Sequence, residues 1–290
     1  MRRLPPCLSR PRRRLIPVLL TVGVVVTSAR TLLAHDFWLV PDAFQVVAGG
    51  SLSIRGHSGS KFPAGGSATT PDRVAEARLI GASTDEPIRD LTASGTSLLL
   101  RHRPSSAGQQ VVALALHSRT TRVAPAQLKR YIALEGAPEL AERYEREGRY
   151  PADSVSQVAA KFAKTIVEIG GNGPRAFTKV AGHALELLPL DDPSLLRVGD
   201  SLRVRVLYRG HVVPRVHLRA GVAPTASGEA DASSAPKDLV VETDADGVAR
   251  VEIMKNAGLW NVRTLYASPR SNDASSWDLY FATLVFKVGR

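Results

Sequence analysis

Short alternations of apolar and polar residues cover the first part of the chain after residue 36 and predict β-strands. In the run 51–56, Leu52 and Ile54 alternate with polar neighbours, as expected for a strand that is buried on one face. The Ala-Gly-Gly sequence at 48–50 precedes this run and predicts a hairpin turn. Further strands are predicted at 74–80, 97–102 and 109–117. This spacing of short strands is typical of an antiparallel β-sandwich.

The middle of the chain changes to a helical spacing. Apolar residues at intervals of three and four predict a helix within 125–148, with an interruption at Gly136-Ala137-Pro138. A second helix is predicted at 153–169, and the two glycines that follow it would end it. The apolar stripe of this second helix consists of Val158, Phe162, Ile166 and Ile169. The mixed glutamates and arginines at 142–147 indicate a solvated face.

The strand pattern returns in the second half. Alternation is strict at 201–208, and the run 185–190 contains Pro189, which indicates an edge strand. The Asp-Ala-Asp-Gly sequence at 244–247 is interpreted as a tight turn, because the remainder of a calcium loop and its terminal glutamate are missing. A low-complexity stretch at 224–236 is interpreted as a loop.

The order of these patterns predicts a mainly β fold. We expect two β-sandwich domains of the immunoglobulin or transthyretin type, with a short helical insertion between them. The expected boundaries are 35–122 for the N-terminal sandwich, 123–180 for the helical segment and 181–290 for the C-terminal sandwich. A chain of 290 residues is long enough for two domains of ordinary size.

Residues 1–34 have the composition of an export signal. Arginines precede a short apolar run at 15–26, and Ala34 offers a small residue before a cut. A signal peptide cleaved after Ala34 predicts a periplasmic or secreted protein. A cut after Ala29, an uncleaved anchor and export by the twin-arginine route are the alternatives. The apolar run is shorter than the about 20 residues that a membrane span needs, so no stable span is expected after processing.

Charge and cysteine content exclude several classes of function. The net charge is +11, but the signal holds seven arginines and no acidic residue, which leaves +4 for the mature chain. That charge is too small to indicate a nucleic-acid partner. The single cysteine, Cys7, lies in the signal. Thiolate metal sites and thiol catalysis are therefore excluded for the mature chain.

Cleavage after Ala34 would make His35 the first residue, with a free α-amino group beside its imidazole. Those two nitrogens can chelate one metal ion, and nitrogen ligands suit nickel, cobalt and copper. None of the seven histidines forms a His-x-His or His-x-x-His pair, so any further ligand must come from another strand. His57 is the best candidate, because the neighbouring Gly56 would leave its imidazole exposed. Alternatively, His35 merely follows the cleavage site and His57 bonds a carbonyl group in a loop.

The sequence shows no enzyme signature. It has no Gly-x-Ser-x-Gly elbow, no phosphate-binding loop and no cysteine nucleophile. Ser58 adjoins His57, but neighbouring residues on a strand point to opposite faces of the sheet. The chain is therefore expected to be a binding protein and not an enzyme.

Several stretches, taken as an ordered set, resemble a family of periplasmic components of ABC-type cobalt and nickel uptake systems. They are 35–38, Gly56-His57, 128–132 with Glu135-Gly136, 185–189 with 199–200, 243–247 with 258–260, and 280–286. The resemblance covers essentially all of 35–290. It implies a two-part β-rich protein that binds or relays Ni²⁺ or Co²⁺ outside the inner membrane, with an inner-membrane metal transporter component as its partner.

The chain departs from the pattern of that family at Gly210-His211, where a Gly-Lys turn is usual. His117 and His217 have no counterpart there. Two other functions are open: a non-enzymatic β-sandwich interaction module at the cell envelope, and a copper-binding protein that uses His35 in a histidine brace. A brace needs a second histidine on a facing strand, and the sequence does not reveal one.

Overall fold

The computed structural model describes residues 36–59, 61–136, 138–151, 153–224, 238–253 and 256–289. The predicted signal peptide at 1–34 and the predicted metal ligand His35 lie outside the described residues. The described part of the chain is mainly β with a short helical segment, as predicted. No helix within these ranges is both long enough and apolar enough to cross a membrane.

A nine-stranded central sheet takes strands from both halves of the chain. Its order is β14-β13-β16-β17-β9-β8-β4-β5, and the short β2 pairs with β9. The strands are β2 (Gln45–Val46), β4 (Val74–Ile80), β5 (Asp85–Pro87), β8 (Gly108–Val123), β9 (Val155–Ile169), β13 (His217–Val222), β14 (Leu239–Glu242), β16 (Gly258–Arg270) and β17 (Asp273–Val288). The long pairing of β9 with β17 is parallel and joins the two halves, whereas β8 and β16 flank this pair in antiparallel fashion.

Two smaller antiparallel sheets complete the β structure. The N-terminal sheet has the order β1-β3-β7-β6. In the C-terminal sheet the strands β10, β12 and β15 each pair with β11. Their strands are β1 (Asp36–Pro41), β3 (Leu52–Gly59), β6 (Asp90–Ser94), β7 (Ser97–His102), β10 (Leu185–Pro189), β11 (Ser201–Tyr208), β12 (His211–Val212) and β15 (Val248–Glu252). Pro189 ends the edge strand β10, as predicted.

Alternate side chains of β8 enter two different cores. Val112 packs in a core with Ile54 of the N-terminal sheet, whereas Val111 belongs to a core with Leu187 of the C-terminal sheet. Because neighbouring residues on a strand point to opposite faces, the central sheet lies between the two smaller sheets. The β-sandwich-like packing of sheets occurs twice, once on each face of the central sheet, which both halves of the chain share.

The helical segment covers part of the face of the central sheet that also bears the N-terminal sheet. It consists of α1 (Pro125–Tyr131), a π-helical turn (Ile132–Gly136) and α2 (Pro138–Arg146). Leu128 and Ile132 are fully buried against Trp277 and Phe281 of β17, and Tyr144 makes an edge contact with Trp277 at 4.9 Å. The interruption predicted at Gly136-Ala137-Pro138 coincides with the junction between the π turn and α2. Two short 3-10 turns, Pro71–Arg73 and Pro193–Leu195, lie in loops.

The prediction of a second helix at 153–169 is wrong, because Val155–Ile169 forms the 15-residue strand β9. Its last seven residues are all buried, since the central sheet is covered on both faces there. A strand buried on both faces loses the apolar–polar alternation that identifies strands from sequence. The helical segment therefore ends at Arg146, and the remainder of the predicted 123–180 segment supplies the middle of the shared sheet.

Candidate functional site

His57, the predicted ligand in the described part of the chain, lies on β3 directly opposite Trp38 of β1. The imidazole is half-buried, not exposed, because the loop that contains Gly65 covers it: a Cβ atom on Gly65 would lie 2.9 Å from Nδ1 of His57. This Nδ1 atom is buried and has no hydrogen-bond partner among the described residues. Burial, together with the charge of Arg55, lowers the pKa of His57. The imidazole is therefore neutral at pH 7, which is the form that binds metal ions.

The proposed partner of His57 cannot be placed, because His35 lies outside the described residues. Its neighbour Asp36 is the first residue of β1 and pairs with Gly59. Across the described ranges, no three His, Cys, Asp or Glu side chains are arranged to hold one metal ion.

A half-buried group of charged side chains lies at the head of β1. We call it the Arg263 cluster: three carboxylates, those of Asp36, Glu135 and Asp238, surround one guanidinium. Nε of Arg263 lies 3.1 Å from Oδ2 of Asp36 and 3.6 Å from Oε2 of Glu135, and Nη2 donates to Oδ2 of Asp238 at 2.5 Å. The three carboxylates come from β1, the π turn and the residue before β14, so the cluster ties three elements to β16. Each of the four side chains is less than 30% exposed.

Burial shifts the pKa values of two groups at this site. Burial, and then repulsion by Glu135, raises the pKa of Asp36 to about 7, although Arg263 and Lys161 oppose this shift. Lys161 on β9 is half-buried, and burial is the main cause that lowers its pKa to about 8 despite the attraction of Asp36. The charges of Arg73 and Arg119 act on Lys161 in the same direction as burial. Asp36 therefore takes up a proton near neutral pH.

An unsatisfied amide adjoins the Arg263 cluster. Asn261 lies two positions before Arg263 on β16 and so faces the same side of the sheet. It is 1% exposed, and neither amide atom has a hydrogen-bond partner among the described residues. Gly221 pairs with Asn261, and a Cβ atom on Gly221 would lie 2.3 Å from Oδ1 of Asp238. The carboxylate of Asp238 therefore lies over the same part of the sheet as the amide.

The sequence analysis reached only part of this cluster. Asp36 and Glu135 lie in stretches that carried the family resemblance, although neither was given a role. Arg263, Asp238 and Lys161 were missed. No spacing or periodicity signals their meeting, because each comes from a different element and only the folded sheet brings them together.

His102 and Asp244 have structural partners among the described residues. Nε2 of His102 lies 2.8 Å from Oε2 of Glu86, so His102 is engaged in an ion-pair contact. Oδ1 of Asp244 accepts hydrogen bonds from the backbone N–H groups of Asp246 and Val248. This confirms the interpretation of 244–247 as a tight turn.

His183 is buried within the second sandwich-like half. It is 5% exposed, it contacts the ring of Phe162 at 5.1 Å, and neither ring nitrogen has a hydrogen-bond partner among the described residues. Burial is the main cause that lowers its pKa to about 4, with Lys164 and Arg78 contributing and Glu186 opposing. His183 therefore stays neutral in the folded protein down to low pH.

Comparison with known proteins gives one family match. A family model described as "Domain of unknown function (DUF4198)" matches residues 32–268. Among curated proteins, none matches the sequence of this chain.

Solved structures give only distant likenesses. The adhesin FdeC of Escherichia coli has 15% identity and a TM-score of 0.22, over 89% of this chain and 64% of that chain. The adhesin InvE of Yersinia pseudotuberculosis has 13% identity and a TM-score of 0.21, over 89% and 60%. Murine CEACAM1b has 8% identity and a TM-score of 0.19, over 88% and 99%. The chain spans less than two thirds of the length of either adhesin, and TM-scores this low carry no argument about function.

Proposed function

This chain belongs to the family described as domain of unknown function DUF4198, and from that premise we propose that it is an exported metal-binding protein. In this proposal it acts in the periplasm, where it captures a divalent transition metal and relays it. Nickel or cobalt is the proposed cargo, and an inner-membrane component of a metal transporter is the proposed recipient. The metal is bound and released without chemical conversion, so the protein is proposed to be no enzyme.

The observation that carries this proposal is the meeting of three carboxylates in the Arg263 cluster at the head of β1. Burial, and then repulsion by Glu135, raises the pKa of Asp36 to about 7, although the positive charge of Arg263 opposes this shift. A divalent cation would supply further positive charge and favour the ionised carboxylate. Because His35 is the covalent neighbour of Asp36, a metal ion held by the two nitrogens of His35 would lie close to this negative charge.

The proposed ligand set begins with the α-amino group and the imidazole of His35, exposed by cleavage after Ala34. A carboxylate of the cluster, from Glu135 or Asp238, completes it on one side. His57 is the further proposed ligand, supported by its neutral imidazole and by its buried Nδ1 atom without a partner. Imidazole, amine and carboxylate donors together suit the later divalent metals. Affinity should fall below about pH 6, where the imidazoles become protonated.

The test compares two forms of the exported protein: one that begins at His35 and one that carries a single extra alanine before it. Isothermal titration with Ni²⁺, Co²⁺ and Cu²⁺ measures the affinity of each form. We expect the extra residue to weaken binding by at least about tenfold, because it removes the six-membered chelate ring that the α-amino nitrogen and Nδ1 of His35 would form with the metal ion. Mass spectrometry of the protein purified from the periplasm checks that the natural N-terminus is His35.

Matched variants examine the other proposed ligands. His57→Ala and Glu135→Gln should each weaken binding, whereas His211→Ala and Glu139→Gln, at exposed positions outside the site, should leave it unchanged. Equal affinity of the two N-terminal forms would refute the terminal chelate. No binding of any of the three metals would favour the interaction module, and copper-dependent redox turnover would favour the histidine brace.

A further inference from the structure

A cleft of about 610 Å³ lies between the end of α2 and the end of β16. We call it the Arg149 cleft. One wall comes from the last turn of α2 and the residues that follow it, and the run 268–271 forms the other wall. The lining holds three arginines, which are Arg143, Arg149 and Arg270, whereas Glu147 is its acidic residue within the described ranges. The cleft therefore has the volume of a site for small molecules and a positively charged lining.

The cap of α2 fixes the position of Arg149. Its N–H group donates to the carbonyl oxygen of Tyr144 at 2.8 Å, and the N–H group of Gly148 donates to that of Glu145 at 3.0 Å. The φ angle of Gly148 is 62°, in the left-handed region that glycine tolerates. These two hydrogen bonds form the Schellman motif, which commonly ends a helix at a glycine. The sequence Glu-Gly-Arg at 147–149 therefore holds the backbone of Arg149 next to the last turn of the helix.

Two guanidinium groups on this wall face one carboxylate. Nε of Arg149 donates to Oε2 of Glu147 at 3.0 Å, and Nε of Arg143 lies 4.0 Å from Oε1 of the same carboxylate. The second distance is too long for a hydrogen bond. This wall therefore carries one surplus positive charge, next to a carboxylate that both arginines attract.

Arg270 adds positive charge on the opposite wall. The pairing of β16 with β17 is irregular between Pro269 and Arg270, and such bulges re-aim a side chain. Nε and Nη2 of Arg270 donate to Oδ1 of Asp278 at 2.9 and 2.7 Å, so Nη1 is without a hydrogen-bond partner among the described residues. Asp278 and Asp273 line a neighbouring hollow at the hairpin turn, outside the lining of the Arg149 cleft. Asp273 is engaged there by the N–H and hydroxyl groups of Ser275.

The donors of these arginines are open to solvent. The side chains of Arg143, Arg149 and Arg270 are 57%, 52% and 44% exposed. Arg149 uses only Nε in hydrogen bonds with the described residues, so both of its Nη groups remain available. A guanidinium has five N–H donors and binds a carboxylate through two of them at once. A ligand with several carboxylates can therefore meet arginines of both walls.

We propose that the Arg149 cleft binds a small organic polycarboxylate. One carboxylate of the ligand lies against Arg149 and Arg143 on the first wall, and another pairs with Arg270 on the second wall. A monocarboxylate would engage one wall only, so the placement of the arginines favours a ligand with two or three carboxylates. This binding is separate from the proposed metal site, since the two sites share no residue.

The test uses tricarballylate, which carries three carboxylates on a three-carbon chain, with butyrate and 1,5-diaminopentane as comparison probes. The exported protein is freed of metal ions on a chelating resin, because EDTA is itself a polycarboxylate and would compete. Isothermal titration at about pH 7.5 and low ionic strength measures the affinity for each probe. We expect tricarballylate to bind at least about tenfold more tightly than butyrate, because it forms charge-assisted hydrogen bonds with several arginines. 1,5-Diaminopentane should not bind, and a rise in salt from about 20 to 200 mM should weaken the binding of tricarballylate, since the arginines are exposed.

Charge-matched variants locate the binding. Arg149→Gln and Arg270→Gln should each reduce the affinity for tricarballylate at least about fivefold, because each removes one charged donor. Arg146→Gln is the control and should leave the affinity unchanged. Arg146 lies on the same helix, is 71% exposed, pairs with Glu142 and is not part of this lining.

Glu147→Gln provides a test in the opposite direction. This variant should bind tricarballylate at least about threefold more tightly, because it removes a negative charge that competes for Arg149 and Arg143. Glu142→Gln changes the net charge by the same amount at an exposed position outside the cleft, and it should have no effect. Absence of saturable binding of tricarballylate, equal affinity for butyrate, or equal effects of Arg149→Gln and Arg146→Gln would overturn the proposal.

Discussion

The guanidinium of Arg263 on β16 holds the carboxylate of Asp36 at the start of β1, with 3.1 Å between Nε and Oδ2. The same guanidinium also contacts Glu135 of the π turn and Asp238 before β14. One cation thus connects the N-terminal sheet, the helical segment and the central sheet. It does so at the point where the described chain begins.

Removal of this cation should destabilise the protein strongly. Arg263→Met leaves three carboxylates together in a largely buried site, and the loss of one partner from such a site typically costs about 3–5 kcal/mol. Urea unfolding at pH 7 measures the loss. Arg270→Met is the control, because the pair of Arg270 with Asp278 is exposed and should contribute about 1 kcal/mol or less. Equal losses in the two variants would contradict the central role of Arg263.

A second ion pair, between Lys164 and Glu186, is almost completely buried in the C-terminal half. Nζ of Lys164 lies 2.8 Å from Oε1 of Glu186, and the side chains are 2% and 1% exposed. Lys164→Met and Glu186→Gln should each cost about 3–5 kcal/mol. The double variant should cost less than the sum of the two, by about 1–3 kcal/mol, because the second change removes a group already left unpaired. Strict additivity in a urea double-mutant cycle would show that the two side chains do not interact.

Acid should destabilise the fold through His183. Its pKa is about 4 in the folded protein, against 6.5 for the free side chain, so between these pH values only the unfolded chain binds the proton. Stability from this residue is fully present above pH 6.5 and is lost as the pH falls towards 4. At pH 4.5 the loss amounts to about 2–3 kcal/mol.

The variant His183→Leu measures this contribution, because leucine does not titrate. Between pH 7 and 4.5 the wild-type protein should lose about 2–3 kcal/mol more unfolding free energy than the variant. Other carboxylates and histidines titrate in both proteins, so only the difference between the two curves is informative. Parallel curves over this range would mean that the pKa of His183 is the same in the folded and the unfolded protein.

The close approach of Phe37 to β3 requires a glycine at position 56. A Cβ atom on Gly56 would lie 2.7 Å from Cζ of Phe37, whose ring is buried in the core of the N-terminal half. Gly56→Ala should therefore destabilise the protein by about 1–3 kcal/mol through overpacking. Gly66→Ala is the matched control, because the nearest atom to its Cβ would be 4.0 Å away. Thermal unfolding of both variants distinguishes a steric effect from a general cost of replacing glycine.

The fold class was predictable because most strands keep one face partly solvated. Ser201–Tyr208, for example, alternates between buried and less buried residues, and the sequence shows the same alternation. Val155–Ile169 was misjudged for the opposite reason. Its buried residues point into cores on both faces of the central sheet, as Ile166 and Val167 do, so apolar residues occur without a period of two. The apolar residues at 158, 162, 166 and 169 then fit a helix equally well.

The candidate site was predictable only where a local motif marks it. The His35-Asp36 pair stands out because it follows the predicted signal peptide, and Asp36 does lie in a half-buried charged cluster. Its partner Arg263 gives no such signal, since an arginine on a strand is read from sequence as a solvated residue. The contact depends on how β1 crosses β17 and β16, which is a property of the tertiary fold. The predicted roles of His35 and His57 in metal binding stay predictions.

The parallel seam between β9 and β17 means that neither half of this polypeptide can serve as an interchangeable module. The pairing runs from Ser276 to Val285 on the C-terminal side. A gene fragment that encodes one half would specify a long strand with a bare backbone edge, and such edges recruit other chains into aggregates. Recombination or proteolysis near residue 180 would thus yield two aggregation-prone fragments. Each would expose the strand edge that pairs with the other fragment in the intact protein. The two halves therefore have to be synthesised and folded as one unit.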